Sequence, residues 1–203
     1  MECLTSSFFQ KVFTMPQLDQ NEVHFFEELR EAGVLEDVNG NCLDTSKGVI
    51  LVTCADGSHF GDIFKRQSEM TPLIHTLALN GGGLILPHRS PANMPIGMSP
   101  TGGMICLGDI YMSQISVAQE LKGISVVALH VHFPCGIARL HNIGSRHLME
   151  LLVAAKTRIK AETSEGTKVA ACLHIAWPDG RKRTYFVSRD KWTEYLQATG
   201  SQS

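Results

Sequence analysis

No apolar run in this chain approaches the roughly 20 residues that a bilayer-spanning helix needs. No cluster of lysines and arginines forms the basic stripe of a nucleic-acid binder or the polybasic segment of a membrane-surface protein. Eighteen basic residues face twenty acidic ones, for a net charge of -2, and the pI lies near 6.5. The first residues, Met1-Glu2-Cys3-Leu4-Thr5, lack the basic and apolar regions of a secretory signal. There is no internal repeat and no low-complexity tract. These absences set aside nucleic acid and membrane as partners and make the cytoplasm the expected location.

With 203 residues, 43% hydrophobic and 19% charged, the chain is long enough for one well-packed domain and short for two. The expectation is a single domain over residues 1–203, with 1–17 as an N-terminal arm. Six cysteines fall at positions 3, 42, 54, 106, 135 and 172. Their irregular spacing in a chain of this length reads as free thiols or metal ligands rather than a disulfide framework. Of nine histidines, four (His130, His132, His141 and His147) fall within eighteen residues.

The apolar spacing predicts a helix through Val23, Phe25, Phe26, Leu29 and Ala32, capped by Asp19 or Asn21 and ended by Gly33. Asn39-Gly40-Asn41 reads as a turn. Val49–Cys54 is a continuous apolar run, as in a parallel strand covered on both faces. Residues 61–79 read as mainly helical, with Ile63, Phe64, Met70, Leu73, Ile74 and Leu77 on the apolar side. Asn80-Gly81-Gly82-Gly83 leads into a short strand, Leu84-Ile85-Leu86, and Pro87–Gly103 reads as a long loop. A helix over 109–122 turns Ile110, Ile115, Ala118 and Leu121 to one face. Ile124–Val131 is a second buried strand, followed by helix from Gly136 to about Glu162. Thr167–Trp177 and Arg183–Val187 flank the turn Pro178-Asp179-Gly180 as a hairpin, and Asp190–Leu196 closes the chain as a helix. The order predicts an α/β fold: a mostly parallel central sheet flanked by helices, with an antiparallel C-terminal edge hairpin.

Two clusters of ligand-type residues follow the two long strands. One is Thr53-Cys54-Ala55-Asp56-Gly57-Ser58-His59. The other, His130-Val131-His132-Phe133-Pro134-Cys135-Gly136, comes about eighty residues later. In open α/β sheets, sites form beyond the carboxyl ends of strands where the strand order reverses. Cys135 also stands at the entry to the next helix, where backbone N–H groups favour a thiolate. Taken singly, Cys54 and Cys135 read as buried core thiols and His132 as a satisfied core histidine. Taken together, each at a strand end, they read as a soft site of the kind zinc prefers. His130 shares a strand face with His132 and is open to a core, supporting or proton-shuttle role. His59 is either a polar neighbour of Asp56 or the start of a helix, and His141 and His147 read as surface or packing residues.

Cys-x-Asp after the first strand, a glycine-rich turn, and a Val-Val strand leading into His-x-x-Cys-Gly together resemble the β-class carbonic anhydrases over roughly Val49–Gly136, and more loosely over the final hairpin. The resemblance implies that Zn2+ is held by Cys54, His132 and Cys135. It implies Asp56 as the acidic catalytic residue, which orients the zinc-bound hydroxide or takes the fourth position. It implies reversible hydration of CO2 to bicarbonate by a carbonate dehydratase that works as a homodimer or larger assembly. Three departures stand out. Ser58 occupies the place of the arginine that pairs with the aspartate in that family; Arg89, Arg139 and His59 are candidate substitutes. Leu79-Asn80-Gly81-Gly82-Gly83 lacks a second usual arginine. Phe133 and Pro134 replace polar residues inside His-x-x-Cys. The chain is therefore similar to a divergent branch of the class, of the kind the algal low-CO2-induced relatives represent.

Other readings remain beside this one. A non-catalytic zinc module, or a zinc hydrolase acting on CS2 or COS, would use the same ligands. A Cys135 nucleophile activated by His132 leaves Cys54-x-Asp56 unexplained. A dinucleotide site at Gly81-Gly82-Gly83 has its glycines before a strand instead of between strand and helix.

Overall fold

The computed structural model describes residues 17–38 and 44–200. Helix α1 (Gln20–Glu31) begins in a reciprocal cap. Glu22 N–H donates to Asp19 Oδ1 at 2.8 Å, and Asp19 N–H donates to Glu22 Oε2 at 2.9 Å. Both orphan donors are thereby satisfied, and the helix turns Phe26 and Leu29 into the core. After it come β1 (Leu35–Asp37), β2 (Val49–Thr53), α2 (Gly57–Met70), β3 (Ile74–Ala78), a short 3₁₀ turn (Gly82–Ile85), β4 (Pro95–Met98) and β5 (Met104–Cys106). The second half runs α3 (Leu107–Lys122), β6 (Val126–Phe133), α4 (Gly136–Leu140), α5 (Ser145–Glu162), β7 (Lys168–Ala176), β8 (Lys182–Val187) and α6 (Arg189–Gly200).

Six strands form one sheet in the order β1-β8-β7-β6-β2-β3. The pairs β2/β3, β2/β6 and β6/β7 are parallel, whereas β7/β8 and β8/β1 are antiparallel. This is the expected mostly parallel α/β sheet with an antiparallel edge. The chain leaves β2 in one direction to reach β3, and it later enters β6 on the other side and proceeds to β7. The strand order therefore reverses at the β2/β6 junction.

The two faces are covered unequally. On one, residues from α1, α3, α5 and α6, with Ile50, Val52, Val127, Leu129 and Val131, form the main core. Phe26 meets Phe133 edge-on at 5.3 Å. On the other, the apolar cluster is small: Val49, Leu51, Ile63, Val126 and Ala128, with Ile74 against it.

Several expected elements are redrawn. The helix expected over 61–79 starts at Gly57 and stops at Met70. Thr71 is already extended (φ -157°), because the proline that follows disfavours a helical residue before it. Ile74–Ala78 is instead a strand in full register with β2, from Val49↔Ile74 to Thr53↔Ala78. Leu84-Ile85-Leu86 is not a strand: positive φ at Gly81 and Gly82 tightens this stretch into a buried 3₁₀ turn. The expected loop Pro87–Gly103 holds β4 and leads into the β4/β5 hairpin, closed by Ser99 N–H to Gly103 O at 2.6 Å. The helix after Gly136 breaks at 141–144, where Asn142 has φ 54°. Helix α3 buries Tyr111, Met112, Ile115 and Ala118, while Ile110 and Leu121 are exposed. Its core is shared with Phe26 and Leu29. The turn expected at Asn39-Gly40-Asn41 lies outside the described residues.

The glycine-rich turn has a specific task. A Cβ on Gly82 would lie 2.4 Å from the Cys54 nitrogen, a backbone atom that cannot give way, and Gly82 has φ 50°. The close approach lets Gly81 N–H reach Cys54 Sγ at 3.2 Å. Gly82→Ala should therefore cost about 3 kcal/mol or more through steric conflict and backbone strain. Urea unfolding checks this, with exposed Gly61→Ala, where an added Cβ meets nothing within 4 Å, as the control.

Candidate metal centre

Cys54 is the residue immediately after β2, and Cys135 stands two residues after the end of β6. His132 belongs to β6 itself. The strand runs two residues further than its apolar run suggests because β7 pairs with it through His132↔His174 and Phe133↔Ile175. Its pleat therefore fixes where the imidazole points. Direct pairing of β2 with β6 (Val52↔Leu129) closes the gap left by the sequence separation. One ligand atom each from Cys54, His132 and Cys135 lies within 4.8 Å of the others, and all three residues are buried.

The donor set is prepared for a cation. His132 Nδ1 lies 2.8 Å from the Pro134 carbonyl. A carbonyl only accepts, so Nδ1 carries the proton and Nε2 keeps its lone pair. That Nε2 is buried without a hydrogen-bond partner. Fixing the tautomer through the far nitrogen is the usual support for a metal-binding imidazole. The two sulfurs lie within 4.8 Å of each other. The Cys135 thiol, with further help from His132 and Gly81 N–H, brings Cys54 down to about 4 against the opposing effect of burial. Cys135, acting as donor to Cys54 and buried, is pushed up. The two thiols therefore titrate as a pair, in which one sulfur ionises readily and the other is held protonated beside it. The N–H groups of Ala138 and Ile137 at the start of α4 do favour a thiolate at Cys135, but the neighbouring Cys54 sulfur and burial outweigh them.

A second group overlaps the first: ligand atoms of Asp56, His59 and His132 also lie within 4.8 Å of one another. Asp56 caps α2. Its Oδ1 accepts from Ser58 N–H at 3.0 Å and from Ser58 O–H at 2.6 Å, and these bonds help hold the carboxyl below its ordinary value despite burial. Ser58 thus engages the Asp56 carboxylate through both its N–H and its O–H. Among the described residues no arginine or lysine pairs with Asp56, and Arg89 and Arg139 are exposed. His59 does not supply the charge either. It is 1% exposed, and burial, followed by His132, pushes it down to about 4.

His59 stacks on His132 with ring centres 4.1 Å apart and meets His174 edge-on at 5.4 Å. His174 Nδ1 lies 2.8 Å from Thr184 Oγ1. His174 and Thr184 carry no signal of their own in the sequence; only the β6/β7/β8 register brings them here. His130 is buried, in register with Cys172, and its Nδ1 has no partner. It sits in the core beneath α2. His141 and His147 are half-buried.

No family model matches the chain, and no curated protein matches it. Among solved structures the chain is similar to β-carbonic anhydrase isoform I of Trichomonas vaginalis, at 11% identity and a TM-score of 0.42, over 84% of this chain and 99% of the other. It is similar to a carbonic anhydrase of Streptococcus mutans at 14% identity and a TM-score of 0.42, over 85% and 100%. The β-carbonic anhydrase CcaA matches at 11% identity and a TM-score of 0.36, over 83% and 85%. No helix among the described residues is long and apolar enough to cross a membrane.

Three buried imidazoles set an acid limit on stability. Burial holds His59 at about 4, His130 at about 3 and His174 at about 3, whereas the same groups titrate near 6.5 in an unfolded chain. Well below that value, the unfolded chain binds three protons that the fold refuses, so stability falls as pH falls. The three together contribute a slope of about 4 kcal/mol per pH unit. Urea unfolding of chelator-treated protein between pH 7.5 and 4.5 should show this loss, and His130→Gln should remove about a third of it.

Proposed function

We propose that the chain is a single-domain zinc enzyme of the carbonic anhydrase type, interconverting carbon dioxide and bicarbonate and working as a homodimer or larger assembly. One observation carries this reading. Two sulfurs and one prepared imidazole nitrogen converge within 4.8 Å at the β2/β6 junction. Two thiols and an imidazole are donors zinc takes readily and magnesium or calcium does not. Zinc held by Cys54, His132 and Cys135 would supply a Lewis acid with an open fourth position and bring the pKa of a water there towards about 7.

The chain's own residues would do the rest. Asp56 is the catalytic candidate: Oδ1 is engaged by Ser58, which leaves Oδ2 to accept a hydrogen bond from the attacking water and orient it. Gly81 N–H steadies the Cys54 sulfur. His59, neutral and stacked on His132, closes that side of the imidazole against solvent without adding charge.

The missing arginine favours a second reading: a zinc protein built on the same ligands that does not hydrate CO2, or that hydrolyses CS2 or COS. No cation offsets the Asp56 carboxylate, so it competes with water for the metal.

Metal analysis should find one zinc per chain, and Cys54→Ser or Cys135→Ser should lose most of it. Full stoichiometric zinc in either variant rules out the ligand set. Stopped-flow CO2 hydration on the zinc-loaded protein should show activity above buffer at pH 7 to 9. Asp56→Asn should lower kcat/KM about 100-fold. Bound zinc without hydration would leave the second reading.

A further inference from the structure

The face of the sheet beneath α2 holds a concentration of polar groups that the metal site does not use. A cavity of about 20 Å3 lies between α2 and the strands, walled by Val49, Ile63, Ala128, Ala170 and Phe186. That is room for one or two water-sized groups. Arg66, His130 and Cys172 also line it. His130 is 4% exposed, and its Nδ1 has no partner. Arg66 donates from Nη2 to the Val38 carbonyl at 3.0 Å, while its Nε is buried and unpartnered.

A guanidinium stays charged at any ordinary pH. Among the described residues no carboxylate pairs with Arg66. Burial pushes the Cys172 thiol up to about 12, so it supplies no negative charge. Arg66 is half-buried, so its charge is partly desolvated, and its unpartnered Nε and the unpartnered His130 Nδ1 belong to two residues that line the same small space. The tautomer of His130 is free to follow what it binds.

We infer that the cavity beneath α2 is a binding site for a small monovalent anion, a halide or a linear triatomic such as azide, held by the Arg66 guanidinium and the His130 Nδ1–H. One guanidinium offsets one negative charge, so a monovalent ion leaves the cavity neutral where sulfate or phosphate would leave it net negative. The site is separate from the candidate metal centre: His130 shares the face of β6 with His132 but stands two residues before it.

The test is thermal unfolding of the full chain at constant ionic strength, with bromide replacing gluconate. The wild type should show a saturable rise in Tm, and sulfate should give none. Arg66→Met removes the charge and should abolish the rise. Ala170→Val narrows the cavity while keeping Arg66 and should weaken the rise several-fold. Cys135→Ser should keep it, which separates this site from anion binding at the metal. Bromide anomalous scattering from soaked wild-type crystals locates the ion whether or not the variants fold. A peak between Arg66 and His130 is expected. No saturable rise in the wild type, an equal rise in Arg66→Met, or no peak in that cavity would overturn the inference.

Discussion

The parallel pairing of β2 with β6 is the contact on which the candidate site depends. Cys54 and Cys135 are eighty-one positions apart, and loop closure over that distance must be met before any bond between them is gained. The sheet meets it with backbone hydrogen bonds and buried aliphatic side chains: Ile50, Val52, Val127 and Leu129 on one face, Val49, Leu51, Val126 and Ala128 on the other. Each such side chain contributes roughly 1.5–3 kcal/mol on burial, so the junction is stable without a ligand. Because strand order reverses there, no crossover helix lies over the carboxyl ends, and the residues just beyond them are left to chemistry. The glycine turn then seals the floor, since Gly82 fits against the Cys54 backbone only by having no side chain.

The same geometry explains why the face beneath α2 is polar. Strand pleating alternates side chains, so once His132 is placed at the site, His130 and, across the register, Cys172 and His174 follow on one face. One helix with a small apolar cluster covers them. The imidazoles stay neutral because burial makes the charged form costly. The fold therefore trades some acid stability for a rigid bed under His132, with His59 stacked on it.

Much of this was legible in the sequence, and the failures have physical causes. The apolar runs of β2, β6 and β7 are unambiguous because both of their faces are buried. The candidate ligand residues stand at the ends of β2 and β6, where position alone draws attention to them. β3 was hidden because all five of its residues are half-buried at a sheet edge, so Ile74 and Leu77 read equally well as a helix continuing from α2. The β4/β5 hairpin was hidden because its apolar residues, Ile96, Met98 and Met104, are exposed and obey no burial pattern. His174 and Thr184 reach His59 only through strand register, which no local motif encodes. Ser58 was legible as the loss of an arginine but not as a donor to Asp56, because that role comes from the helix cap.

That cap bears on the most consequential departure in the chain. A carboxylate beside a divalent cation, without a partner, would be drawn onto it. For Asp56 to move, α2 must lose its N-cap bond, worth about 1 kcal/mol, and the carboxylate must release a Ser58 hydroxyl bond of about 1.5–3 kcal/mol. Ser58 thus restrains the position of Asp56 much as an arginine would. It does not match an arginine in charge. A divalent ion with two ionised thiols sums to zero, and Asp56 makes the centre -1, which an arginine would return to zero. Extra negative charge strengthens the hold on a cation and makes loss of a proton from water beside it harder. Geometry and charge therefore pull apart at this centre. In a zinc centre of the proposed kind, the restraint on Asp56 would keep a coordination position open, while its uncompensated charge would weaken the acidity that the open position serves.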